Sequence, residues 1–328
     1  MFYSPILFSH MADLNLTQYH DCHINIDHLN TKDHITIYCL HSMGYLNRLR
    51  PYMEQLQKPF VLISAMEDTQ FPLEIEPEFL QQITTHRFFI HWFTINKTIP
   101  NDEKFTSIPY GLNFWTLSTS PFFGEGVSDY NHQNAVIETI SNESQHFSKR
   151  IPKIYGNFHF NFSDDRHGGS RRMLLNKMPK DIMHYEDAPL RRSESYKQMS
   201  KFSFVLSPFG HGFDCIRTFE ALCLGCIVIM KTSVLDIIYT DLPVCIVKDW
   251  GEIDEKFLAD TLTEYSNRKF DYDKLTMDYW MRLVNSRFIW DGRDMHRYQL
   301  VPFFVQSPHQ RINQMFYAHF VKYFNLGL

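Results

Sequence analysis

The chain has 328 residues, with 32 Lys and Arg against 37 Asp and Glu, for a formal net charge of −5. That length suits two domains of about 150 residues with separate cores, and the acidic balance argues against a nucleic-acid binder. Only 13 glycines are present, which leaves little room for a glycine-rich phosphate loop.

Residues 1–16 lack the basic start of a secretory leader, and no run reaches the ~20 apolar residues of a spanning helix. A soluble, cytoplasmic chain is therefore expected. Residues 35–40 are β-branched and aromatic and read as a buried strand. His41 to Gly44 make a turn, and Leu46, Leu49, Met53 and Leu56 then fall at helical spacing. Residues 60–64, 87–93 and 105–109 read as three further strands, so strands alternate with helices and a parallel sheet is expected. The polar stretch 128–150 reads as a surface helix or loop, and the domain boundary is placed near it.

The pattern restarts at residues 152–157, a strand that enters a long loop. Ser170 can cap a helix through Met173, Leu174 and Leu175. Residues 181–185, 202–206, 226–230 and 244–247 read as strands, and 193–199 as a helix. Residues 310–324 carry Ile312, Met315, Phe316, Phe320, Tyr323 and Phe324 on one face of an amphipathic helix. The six cysteines sit mostly in apolar runs, which points to core packing in a reducing compartment. Cys223 and Cys226 form a lone pair that cannot close a tetrahedral metal site.

The stretch 207–226, SPFGHGFDCIRTFEALCLGC, carries the chemistry. A strand ends at Leu206, and the loop holds Ser207, Gly210, His211, Gly212 and Phe213. Asp214 is the expected N-cap of the next helix, and Gly225 stands at its C′ position. Ile216, Phe219 and Cys223 should face the sheet, while Arg217 and Glu220 share another face. A cation in a first helical turn opposes the helix dipole. The same position suits an anion, which meets backbone N–H groups and a guanidinium together. A surface Arg217–Glu220 ion pair is the plain alternative. Arg171 and Arg172 also fall in a first turn, either in a solvated loop paired with Asp164 and Asp165 or reaching the same anion.

Taken together, the strand, SPFGHGFD, R-x-x-E-A-L-x-x-G-C-I, the apolar strand after it and LPVCIVKDW resemble the donor-binding motif of GT-B glycosyltransferases, most closely the exostosin-like, family 47 type. The resemblance covers roughly residues 151–258, with an echo in IPYGLN at 108–113. It implies an α/β GT-B fold, two Rossmann-like domains facing across a cleft. Residues 1–148 would bind the acceptor, 149–305 the nucleotide-sugar donor, and 306–328 would be a helix packing back toward the first domain. It implies that Arg217 meets the donor diphosphate and that Glu220 binds the ribose; on the functional reading of the second cationic stretch, Arg171 or Arg172 would reach the same diphosphate. Ser207, Gly210, His211, Gly212, Phe213 and Asp214 would surround diphosphate and sugar.

Many retaining relatives carry a second glutamate eight positions earlier, where this chain has Gly212. The resemblance thus implies an inverting enzyme with a general base on the acceptor side. It also implies no cofactor and no metal, with a UDP-sugar favoured over a GDP-sugar as co-substrate and a carbohydrate hydroxyl as acceptor. The base should stand at a strand C-terminus of the first domain. Candidates are Glu67 and Asp68 after one strand and His41 after another, with His10 and His91 as further options. Part of the 16% aromatic content would stack on sugar rings, the rest being core. A non-catalytic nucleotide- or glycan-binding protein on the same scaffold is the rival reading.

Overall fold

In the computed structural model, residues 1–17, 24–156, 158, 171, 174 and 177–288 are described. The expected helix over 310–324, the segment 306–328, residues 164–170 and Arg172 lie outside them.

Strands β1 (Leu14–Asn15), β2 (Ile35–Leu40), β3 (Phe60–Ala65), β4 (Phe89–Thr94) and β5 (Phe105–Ser107) form one parallel sheet in sequential order. Every residue of β3 is buried. Burial on both faces explains why these strands read as unbroken apolar runs rather than alternating ones. Helix α1 (Pro77–Thr84) covers the sheet with Phe79, Leu80 and Ile83. Much of the aromatic content is spent here: Phe71 lies 4.9 Å from Trp92 and 5.0 Å from Phe105, ring centroid to centroid, and all three are buried.

One expected element differs. The helix over 46–56 is a short α turn, Met43–Leu46, followed by a 3-10 stretch, Asn47–Gln55, with Pro51 inside it. Proline lacks the N–H an α-helix needs there, and its ring crowds the carbonyl four residues back. Leu46, Leu49, Met53 and Leu56 are nonetheless all buried. Strand β1 has only two residues, too short for any periodicity to reveal.

The second sheet is also parallel: β6 (Ile151–Gly156), β7 (Met183–Tyr185), β8 (Phe202–Leu206), β9 (Ile227–Lys231) and β10 (Val244–Val247). Its order is β10-β9-β8-β6-β7. From β6 the chain steps outward to β7, then returns past β6 to build β8, β9 and β10 on the other side. The order therefore reverses between β6 and β8. Helices α2 (Tyr130–Glu143), α3 (Arg192–Met199), α4 (Ile216–Cys223) and α5 (Glu255–Ser266) belong to this half. The protein is thus α/β, with two five-stranded parallel sheets.

By contacts the chain divides into two compact units. One holds the first sheet, with Pro5–Pro109 and described residues 278–288. The other holds the second sheet, with Met1–Ser4 and Tyr110–Met277. The polar stretch near 128–150, expected at the boundary, lies well inside the second unit. Helix α2 looks polar but buries Gln133, Asn134, Ile137 and Ile140. Asn134 accepts from the Phe2 N–H at 2.8 Å, and the Tyr3 N–H donates to Leu275 at 2.7 Å. Phe2 bridges Thr276, and the Met277 N–H donates to Met1 at 3.2 Å.

Candidate functional site

Ligands of open parallel sheets bind beyond the strand C-termini where the strand order reverses. Here that point is the gap between β6 and β8. After β6 come Phe158 and Arg171, and after β8 comes the loop 207–215. The loop is built from its own backbone: the Gly210 N–H donates to Gly212 at 3.1 Å, and the Ser207 N–H still pairs with Ile229 at 2.9 Å. The Ser207 hydroxyl lies 2.9 Å from Thr218 Oγ1 and 3.0 Å from Cys215 Sγ, which joins the strand end to the first turn of α4. Phe213 packs edge-on against Phe209, and His211 is exposed at the loop tip.

Helix α4 differs slightly from expectation at its start. Cys215, not Asp214, is the N-cap, with no side-chain cap bond. Asp214 turns inward instead. It is 3% exposed, and its carboxylate accepts from the Tyr110 N–H at 2.6 Å and the Cys215 N–H at 2.7 Å. Burial pushes its carboxyl pKa up, against the pull of hydrogen bonds from Tyr239, these N–H groups and Thr218. Its oxygens thus hold the loop in place. Gly225 has φ +73° as the C′ residue, as its position implied. Cys223 and Cys226 are both core residues.

Two arginines converge at the reversal point. The Arg217 guanidinium lies 5.3 Å from the centroid of the Phe158 ring, and that of Arg171 lies 5.7 Å from the same centroid. Arg171 is 7% exposed, and its Nε donates to the Phe209 carbonyl at 3.1 Å. A Cβ on Gly210 would stand 3.3 Å from Arg171 Nη2, so the glycine lets this side chain lie along the loop. Burial lowers the pKa of Arg171, and the like charge of Arg217 lowers it further. Two guanidiniums, one largely desolvated, beside the N-terminus of an eight-residue helix make a locally positive site on an acidic chain.

Glu220 takes part in a different pair from the one its spacing suggested. Its Oε1 accepts from Arg192 Nη2 at 3.2 Å and from the Tyr196 hydroxyl at 2.6 Å, both on α3. Arg192 and Tyr196 escaped the sequence reading. They stand 28 and 24 positions from Glu220, and the only signal was an arginine at a helix start, where the dipole disfavours it. A cavity of about 430 Å³ opens beside Arg192 and Tyr196, walled by Phe114, Leu117, Val136 and Ile137. None of the expected site residues lines it.

The candidate bases lie in the other unit. His41 follows β2 but is 0% exposed, with Nδ1 2.7 Å from Ser64 Oγ and 3.3 Å from Thr94 Oγ1. Trp92 Nε1 donates to the same Ser64 oxygen at 2.7 Å. Burial lowers the His41 pKa to about 3, so the ring is neutral and sealed in a polar network. His91 is likewise buried between the Glu103 carbonyl and Thr106. Glu67 and Asp68 follow β3. Burial, and then the charge of Asp68, raise the Glu67 pKa. Asp68 is exposed. Met66 before them has φ +73°, and Asn96, which donates to the Glu67 carbonyl at 3.2 Å, has φ +46°. Non-glycine residues in this region carry strain, and such positions cluster at functional sites.

No family model matches the chain, and no curated protein matches it. Among solved structures it is similar to an OtsA apo structure at 10% identity, covering 84% of this chain and 76% of that one, with a TM-score of 0.42. It is also similar to an E. coli trehalose-6-phosphate structure bound with UDP-2-fluoro glucose, at 9% identity, 80% and 72% coverage and a TM-score of 0.35. A UDP-forming trehalose-phosphate synthase from Burkholderia xenovorans matches at 8% identity, 80% and 73% coverage and a TM-score of 0.35. Likenesses of this size carry no residue role across. Among the described residues no helix is long and apolar enough to cross a membrane, and no three His, Cys, Asp or Glu side chains group as metal ligands.

Proposed function

We propose that the protein is a glycosyltransferase of GT-B type that moves a sugar from a nucleoside-diphosphate donor, UDP-sugar before GDP-sugar, to a carbohydrate hydroxyl. The observation that carries this reading is the convergence of Arg171 and Arg217 on one ring at the strand-order reversal of the second sheet. A diphosphate there meets two guanidiniums and the N–H groups of α4, all placed before the reaction begins. As the bond from the sugar C1 to the diphosphate breaks, the leaving oxygens gain charge and these groups stabilise it. The acceptor oxygen attacks C1 from the opposite face, inverting it, and its proton passes to a base. Of the candidates, Glu67 suits that role best, because a raised pKa makes a carboxylate a better proton acceptor near neutrality. His41 suits it least, because it is sealed from solvent. The charge stabilisation rests on protein groups, without a metal.

The sealing of His41 favours one other reading, a nucleotide- or glycan-binding protein without turnover. Thermal-shift screening with UDP-, GDP-, TDP- and CMP-sugars, followed by donor consumption with glycan acceptors, separates the two. Stabilisation by one sugar nucleotide together with turnover that Arg217→Ala abolishes supports the enzyme. Stabilisation without turnover supports the binder, and the absence of any shift overturns both.

A further inference from the structure

Arg192 opens α3, where a positive charge opposes the helix dipole, and its side chain is 8% exposed. Such a placement needs strong compensation, and the network around it supplies this. Nη1 donates to the Asn113 carbonyl at 3.0 Å and lies 3.4 Å from Gln133 Oε1. Nε donates to the Tyr196 hydroxyl, and Nη2 donates to Glu220 at 3.2 Å. The Tyr196 hydroxyl, receiving from Arg192, donates onward to the same Glu220 oxygen at 2.6 Å. A hydroxyl that accepts from a cation is a stronger donor. Burial works against the Arg192 charge, but Tyr196 and Glu220 outweigh it and hold the guanidinium pKa above its usual value.

Both bonds end on Oε1 of Glu220. They fix the carboxylate plane and occupy one of its two oxygens, on a side chain 12% exposed. Glu220 sits one turn after Arg217 on the same helix. A ligand whose diphosphate reaches Arg217 would present its ribose about one helical turn away.

We propose that Arg192 and Tyr196 are positioning residues for donor recognition: they lock one oxygen of Glu220 so that the other is aimed at the ribose hydroxyls. This rests on the reading of Glu220 as the ribose-binding residue. The pair sets how sharply the site distinguishes ribose from deoxyribose, and it has little effect on how the site holds a diphosphate.

The test measures binding of UDP and GDP and of their 2′-deoxy and 3′-deoxy forms by calorimetry, with inorganic pyrophosphate as the diphosphate probe. Wild type should prefer at least one ribose form by about tenfold, the worth of one hydrogen bond to a charged group. Tyr196→Phe, which keeps the ring packing, should reduce that preference severalfold, and Arg192→Lys, which keeps the charge, should do the same. Pyrophosphate affinity of Tyr196→Phe should stay near wild type, and its circular-dichroism melt should remain a single cooperative transition, lowered because the buried Arg192 Nε loses its acceptor. If every ligand, pyrophosphate included, weakens by the same factor, the pair is merely structural and the inference is overturned. An unchanged ribose preference overturns it as well. Ribose preference in wild type that survives Glu220→Gln undamaged removes the Glu220 premise and this inference with it, while leaving the diphosphate site intact. No binding of any diphosphate to wild type removes the donor reading itself.

Discussion

Replacing Arg217 by Met should leave the unliganded protein almost as stable as wild type while costing it most of its affinity for a nucleoside diphosphate. The Arg171 and Arg217 guanidiniums lie 5.7 and 5.3 Å from one ring centroid, so they are no more than about 11 Å apart. Two like charges at that separation repel by at least about 0.4 kcal/mol in a water-like medium and about 1.5 kcal/mol at an effective dielectric of 20. Met keeps the apolar stem but forfeits the contact with the Phe158 face, worth about 0.5–1 kcal/mol. The two effects oppose each other, and the net change should stay within about 1 kcal/mol. A diphosphate loses a charged hydrogen-bond partner, about 1.5–3 kcal/mol, or roughly 10- to 150-fold in Kd. Urea unfolding without ligand gives the first quantity, and calorimetric titration with UDP and pyrophosphate gives the second. Raising the salt should shift the stability comparison toward wild type, because screening relieves its repulsion. A variant destabilised by more than about 2 kcal/mol with unchanged Kd would show that Arg217 serves packing, and the anion site would be refuted.

Three further substitutions probe the frame of the site. Gly156, the last residue of β6, faces Tyr185, and an added Cβ would lie 2.6 Å from its Cδ1 and closer still to Cε1. Gly156→Ala should therefore cost about 1–3 kcal/mol in urea unfolding, and a neutral result would mean that the ring moves freely. Gly225→Ala forces a Cβ into a left-handed backbone, where it also meets Arg150 Nη2 at 3.1 Å. It should cost about 1–2 kcal/mol by the same measure, and no loss would show that the end of α4 can relax. Burial lowers the folded His41 pKa to about 3, below the usual 6.5 of a histidine, so between those limits the unfolded chain binds the extra proton and stability falls as pH falls. His41→Asn removes that dependence. The stability advantage of wild type over the variant should shrink below pH 6.5 by up to about 1.4 kcal/mol per pH unit, and an advantage that stays constant with pH contradicts a buried neutral ring.

The strands were legible because a sheet buried on both faces writes itself as apolar runs, and Ile35–Leu40 and Phe202–Leu206 appear where those runs stand. Gly225 was legible because a left-handed residue after a helix has few occupants. The start of α4 was less so. Asp214 has the chemistry of a cap, but a buried backbone N–H from Tyr110, 104 positions away, takes its carboxylate instead. The partner of Glu220 was hidden for the same reason. Local spacing points to Arg217, whereas tertiary packing brings Arg192. His41 stands at a strand end as a base would, and only the neighbouring strands, through Ser64, Thr94 and Trp92, reveal that it is sealed.

The anchoring of Tyr3 to Leu275 has a consequence for synthesis. On the ribosome the strand partners of β1 to β5 all emerge within the first 107 residues. Residues 1–4 belong to the other unit, and their partners at residues 275–277 emerge about 170 residues after β5. At ordinary elongation rates the interval is on the order of ten to thirty seconds. Through that interval the Tyr3 N–H and the Met1 carbonyl lack their partners, while the Phe2 N–H can already meet Asn134, so this segment is locked into place in two stages.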